Sequence, residues 1–163
     1  METDLLERSP GCGDVAETGE RQFVTLMLGD QLCGISVFAV RDVLGEQVIS
    51  RIPLASREVA GNLNLRGRIV TAIDLGLRLG LPPAEPDARR MSVVVEDMGE
   101  LYALLVDQVA EVMSLKVGAL EQNPPTLRLP WAEISSGIYR LEDRLLVVLD
   151  VGRLLVLSDA GGR

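Results

Sequence analysis

Apolar residues in this chain come in strand-length runs broken by glycine- and acid-containing turns, the pattern of a sheet protein. QFVTLML (22–28) and QLCGISV (31–37) flank Gly29 and Asp30 and read as a hairpin. FAVRDVLG (38–45) places Val40, Val43 and Leu44 at helical spacing with Gly45 as a stop, so a short helix is expected there. VISRIPL (48–54) reads as a short extended piece. SREVAG (56–61) reads as one helical turn, capped by Ser56 and closed by Gly61. NLNL and RIVTAIDL form two strands around a tight turn at Arg66 and Gly67, within 61–75, and LGLRLG (75–80) a short helix. The Pro-rich stretch 82–90 is a connector. Beyond it, 91–97 and 100–107 are strands around Met98 and Gly99, and 108–115 continues them. A long Pro-interrupted loop spans 116–136. A second hairpin, 137–141 and 144–151, turns at Glu142 and Asp143, and 152–157 closes as a helix.

The two halves echo each other. Residues 69 apart pair between 32–44 and 101–113: Val40 with Val109, Asp42 with Glu111, Val43 with Val112. Residues 76 apart pair between 61–76 and 137–152: Gly61 with Gly137, Arg68 with Arg144, Asp74 with Asp150, Gly76 with Gly152. The offset grows where the second half carries NPPTLRLPW. A duplication of this kind predicts two similar β-lobes. A curled sheet of about five strands hides its edges by closing on itself. Each lobe alone buries little area, so the two should pack apolar faces together and leave a groove between them.

Composition supports sheet. Hydrophobic residues make up 47% of the 163 residues but aromatics only 3%, so the core must be Val, Leu, Ile and Ala. The net charge of -8, with no basic run, argues against nucleic acid and anionic membrane surfaces as partners. Residues 1–20 are polar and acidic, read as a disordered leader, and carry no signal-peptide pattern; 158–163 read as a frayed tail. No apolar run approaches the ~18 residues of a membrane span.

Histidine is absent, which removes His-based triads, metal ligands and acid–base catalysis. Cys12 lies in the leader and Cys33 in an apolar run, so they suggest neither a disulfide framework nor a zinc site. A reducing cytoplasm fits both. No phosphate-binding glycine loop occurs. Asp74 and Asp150, at matching strand ends, read as caps of the turns that follow rather than as a catalytic pair. Trp131 reads as packing its loop onto the second lobe. Arg66, at a hairpin tip whose turn Gly67 permits, is either a solvated turn residue or a fork for a partner's carboxylate or carbonyl. No catalytic, cofactor or metal residues are expected.

At NLRGRIVTAIDL (64–75) the chain closely resembles the signature of the CheW family, a hairpin of the form N-L/I-R-G followed by an apolar strand ending in Asp-Leu. The opening strand pair and helix over 23–45, the SRIPLASREVAG segment and ELYALLVDQVAEVMSL resemble that family in order, from about Gln22 to Leu157. Thr71 and Ala72 depart from the Pro-containing pair common in this strand. The resemblance implies a mainly β fold. Two SH3-like five-stranded barrels would share an apolar core, with a few short helices, in one domain over 21–157 whose interleaved lobes run roughly 21–90 and 91–157. It implies a cytoplasmic, non-catalytic chemotaxis adaptor without cofactors, with two partners: the regulatory domain of a CheA-type histidine kinase and the cytoplasmic hairpin tip of a chemoreceptor. Carried over by position, the receptor-contact residues would be Arg66, Val40, Asp42, Val112, Asn64 and Gly67. The length argues against CheV, which adds a receiver domain, and against CheA itself. Two other readings remain: a CheW-like scaffold in another pathway such as surface motility, and a small-ligand-binding β-barrel.

Overall fold

The computed structural model describes residues 19–53, 56–85 and 88–156. Nearly all of the leader, Cys12, Leu157 and the tail 158–163 lie outside them. The strands are β1 (Glu20–Leu28), β2 (Gln31–Ser36), β3 (Val40–Leu44), β4 (Val59–Leu65), β5 (Arg68–Asp74), β6 (Met91–Asp97), β7 (Glu100–Val106), β8 (Gln108–Lys116), β9 (Ser135–Arg140) and β10 (Leu145–Leu149). Three one-turn helices follow strands or loops: α1 (Leu75–Arg78), α2 (Trp131–Ile134) and α3 (Val151–Leu154).

The strands form two five-stranded sheets, ordered β8-β1-β2-β10-β9 (barrel 1) and β3-β6-β7-β5-β4 (barrel 2). The orders superimpose when β1–β2 is matched to β6–β7, β8 to β3, β9 to β4 and β10 to β5. The details match as well. Both edge pairings carry a bulge at the same place, between Val24 and Leu26 opposite β8 and between Val40 and Asp42 opposite β6. Both barrels contain one parallel pairing, β10 with β2 and β5 with β7. Asp74 and Asp150 each accept a hydrogen bond at 3.1 Å from a backbone N–H of the following helix, those of Leu77 and Arg153. Both aspartates are therefore helix caps.

The halves are exchanged between the barrels. Barrel 1 takes β1 and β2 from before residue 90 and β8, β9 and β10 from after it; barrel 2 takes the reverse set. A division at 90/91 therefore does not separate the sheets. Neither half can complete a barrel alone, because every sheet edge is finished by strands from the other half.

Each barrel has its own interior. Phe23, Leu32, Tyr139, Leu146 and Val148 fill barrel 1, where the Phe23 and Tyr139 rings meet edge to face at 5.7 Å. Leu63, Val70, Ala72, Val94 and Ala103 fill barrel 2. The alternate residues of the same strands point the other way, as the two-residue period requires. They build a third cluster shared by both sheets, including Leu26, Ile35, Ile73, Val93, Leu104 and Val147. Cys33 belongs to this shared core as a fully buried free thiol, and burial pushes its pKa up, which keeps it unreactive. Trp131 packs against the shared core rather than against one barrel.

Three segments differ from expectation. The stretch 38–45 is not a helix: a 3-10 turn, Val37–Ala39, leads into strand β3. Val40, Val43 and Leu44 mimic a helical stripe, but β3 gains a ladder against β6 and half-buries alternate residues, which outweighs local propensity. The segment 56–61 holds a turn closed by the Val59 N–H donating to the Ser56 carbonyl at 3.0 Å, after which β4 begins, so Gly61 sits inside a strand. The loop 116–136 contains a 3-10 turn, Val117–Ala119, and helix α2.

Arg78 joins the matched helices. From α1 its guanidinium donates to the carbonyls of Leu154 (2.9 Å), Arg153 (3.2 Å) and Val156 (2.8 Å), at and just beyond the C-terminal end of α3, where helix carbonyls run out of intrahelical donors. Arg78→Ala is expected to lower unfolding free energy by roughly 2 kcal/mol, the scale of charge-assisted hydrogen bonds to half-buried carbonyls. Arg128→Ala, at an exposed position, is the control; urea unfolding of both variants checks the difference.

Candidate interaction surface

The β4–β5 hairpin turns through Arg66 and Gly67, with φ of 53° and 87°, while Leu65 pairs with Arg68. Positive φ at both central residues defines a type I′ turn, which matches strand twist. Gly67 adopts this geometry freely; Arg66, bearing a Cβ, does so at some strain. Asn64 stabilises the turn by accepting the Gly67 N–H on its Oδ1 at 2.8 Å. The turn thus holds Arg66 at the tip with 78% of its side chain exposed.

Asp42 on β3 meets that tip. Arg66 Nη2 donates to Asp42 Oδ2 at 3.1 Å, and Asp42 Oδ1 accepts the Val43 N–H at 2.9 Å. Since β3 and β4 are the outermost strands of barrel 2, this ion pair spans the closing seam of the barrel. Beside it, Arg41 donates to Glu96 at 2.6 Å. Exposed pairs like these stabilise by about 1 kcal/mol at most, so Arg66 contributes little to holding the fold. Its guanidinium keeps donors turned to solvent.

Of the six residues expected to act together, the structure brings Arg66, Asp42, Asn64 and Gly67 into one cluster. Val40 lies two residues before Asp42, half-buried against the shared core. Val112 belongs to the other sheet, on β8, where it is 56% exposed. Sequence reasoning missed Ile69 and Val48, which are 68% and 88% exposed and flank the same hairpin beside Asn62 and Asn64. The available signal was Ile69 itself, an apolar residue at the outward position of a strand whose next residue, Val70, is buried. Among the described residues no group of acids and cysteines is placed to hold a metal ion, and no helix is long and apolar enough to cross a membrane.

The model of the CheW-like domain matches residues 22–158. The chain belongs to the CheW family. A probable chemotaxis protein CheW of Rhizobium etli is 26% identical over 136 residues, covering 83% of this chain and 88% of that protein. The crystal structure of scaffolding protein TtCheW from Thermoanaerobacter tengcongensis superimposes with a TM-score of 0.75 at 27% identity, covering 84% of this chain and 93% of that one. PilI of Pseudomonas aeruginosa is 28% identical over 108 residues, 66% of this chain and 61% of that protein. The matched span takes in both interleaved halves, so this CheW-family chain is a chemotaxis-type scaffold of two β-barrels about one core.

Proposed function

We propose that this CheW-family chain is a cytoplasmic adaptor that couples transmembrane chemoreceptors to a CheA-type histidine kinase, supporting kinase activation and control without chemistry of its own. The observation that carries the reading is a rigid double barrel presenting an exposed guanidinium at a locked hairpin tip. Such a surface can fix the register of a partner, while neighbouring apolar positions supply contact area. Arg66, Asp42, Asn64, Gly67 and Val40 form one receptor-contact patch in this reading, and Val112 a second point of contact. Signalling would then be a shift in how receptor and kinase are held together.

Arg66→Glu tests it. The substitution puts a carboxylate opposite Asp42 and reverses the charge shown to the partner. Receptor pull-down is expected to weaken about tenfold or more, with kinase binding measured separately. Unchanged receptor binding removes Arg66 from the contact. The adaptor reading as a whole is tested by kinase activity of CheA plus receptor, with and without this protein; equal activity in both overturns it. A second reading, the same scaffold serving another pathway such as surface motility, is favoured by the similarity to PilI. It is distinguished by which kinase co-purifies.

A further inference from the structure

The described chain passes from one barrel to the other twice, and the two crossings differ. After β2 of barrel 1 the 3-10 turn Val37–Ala39 leads into β3 of barrel 2; after β7 of barrel 2, Asp107 leads into β8 of barrel 1. Phe38 and Asp107 are 69 residues apart and so occupy matching places in the repeat. Asp107 serves the fold, since its Oδ2 accepts the Gly29 N–H at 2.6 Å and ties the crossing to the β1–β2 turn. Phe38 is 61% exposed and belongs to none of the three core clusters. Its backbone is nevertheless fixed. The Phe38 N–H donates to Ser36 Oγ at 3.2 Å, the Val40 N–H donates to the Val37 carbonyl, and Ala39 and Val40 pack against the shared core. The other phenylalanine, Phe23, is buried inside barrel 1. An ordered turn that holds a phenylalanine in water forgoes the free energy of burying it, and the fold gains nothing in return.

The crossing also lies between the two parts of the candidate surface. Its turn packs between β1 of barrel 1 and β6 of barrel 2. On the barrel 1 side, Val112 pairs with Val24 of β1, and Val24 with Ile35 of β2, a residue of the shared core. Directly paired residues share a face, so Val112 stands on the face that barrel 1 turns towards barrel 2. On the other side, Val40 and Asp42 follow Phe38 at two and four residues, and Asp42 holds Arg66. We propose that Phe38 is the apolar anchor that makes Val112 and the Arg66 patch one contact surface. Its occupant is a helical segment of the receptor, with an apolar stripe against Phe38 and Val112 and a carboxylate for the solvent-facing donors of Arg66. Helices present such a stripe along one face, and aromatic anchors carry a large share of the energy in contacts of this kind. This deepens the receptor reading above and rests on it.

The test measures binding of the full chain to a soluble chemoreceptor fragment carrying the hairpin tip, and separately to CheA. Phe38→Ala is expected to weaken receptor binding about tenfold, the loss seen when an interface anchor is truncated, and to leave CheA binding unchanged. Phe38→Leu, which keeps an apolar side chain, should restore most of the affinity. Leu129→Ala removes a comparably exposed apolar residue, whose neighbour Pro130 borders Gly80 after α1, and should leave receptor binding as it is. The urea midpoint of Phe38→Ala should match that of the unaltered chain, because the ring packs in no core cluster. Receptor binding that falls with Arg66→Glu but not with Phe38→Ala removes Phe38 and leaves the receptor reading standing. An unaltered chain that binds no receptor overturns both. An equal loss of CheA binding, or a lowered urea midpoint that accounts for the weaker binding, also overturns the assignment.

Discussion

Gly61→Ala is expected to destabilise the protein by about 3 kcal/mol or more, combining two disrupted backbone hydrogen bonds with local strain. A Cβ at Gly61 would lie 2.0 Å from the Ser50 carbonyl oxygen and 2.7 Å from its carbonyl carbon, distances at which backbone must move. The segment it would displace is fixed by reciprocal hydrogen bonds of 2.7 Å between Ser50 and Asn62, which cover the edge of β4. Its φ of +146° is also unfavourable for a residue with a side chain. Gly137, the matching residue, has the Glu121 carbonyl oxygen at 2.7 Å and otherwise the flexible Leu120 side chain, so Gly137→Ala should cost less, about 2 kcal/mol. Gly67→Ala meets open space and loses only the conformational advantage at φ +87°, about 1 kcal/mol. Urea unfolding of the three variants should rank them in that order. A Gly61→Ala variant as stable as Gly67→Ala would mean that the edge segment does not hold its place against β4.

Leu104→Ala should be comparably severe, with a loss of about 3 to 5 kcal/mol. Leu104 is fully buried in the shared core, opposite Ile73 on one side and Val93 on the other. Both barrels contribute to that cluster, so the cavity cannot be closed by relaxing one sheet alone. A domain of this size has a stability of only about 5 to 15 kcal/mol, so the variant should approach the unfolding threshold at physiological temperature. Leu129, 69% exposed, provides the contrast: Leu129→Ala should change stability by no more than about 0.5 kcal/mol. Thermal melts of the two variants distinguish a core that is shared from two barrels that merely touch, since a locally confined Leu104 site would give a small, barrel-specific effect.

The hairpins were legible because turn chemistry is local. Gly29, the Arg66–Gly67 pair and Gly99 mark their turns by conformational need, and each adopts positive φ in the structure. The aspartate caps were equally readable, because a carboxylate at a strand exit finds the next backbone N–H within a few residues. Strand β3 was not. Val40, Val43 and Leu44 support a helix as well as a strand, and only pairing with β6, some fifty residues away, decides between them. The candidate site divides in the same way. Arg66, Gly67 and Asn64 follow from the turn, whereas the pairing of Arg66 with Asp42 requires β3 and the hairpin tip to meet across a closed barrel.

By itself, the sequence determined the strand-rich class, the repeat, the turn positions and the absence of histidine chemistry, since these depend on composition and short-range geometry. Only the tertiary structure decided that the halves exchange strands, that Arg66 meets Asp42 across the β3–β4 seam, and which face of each strand enters the shared core. Those outcomes depend on contacts between residues far apart in the chain, whose energies no local pattern encodes.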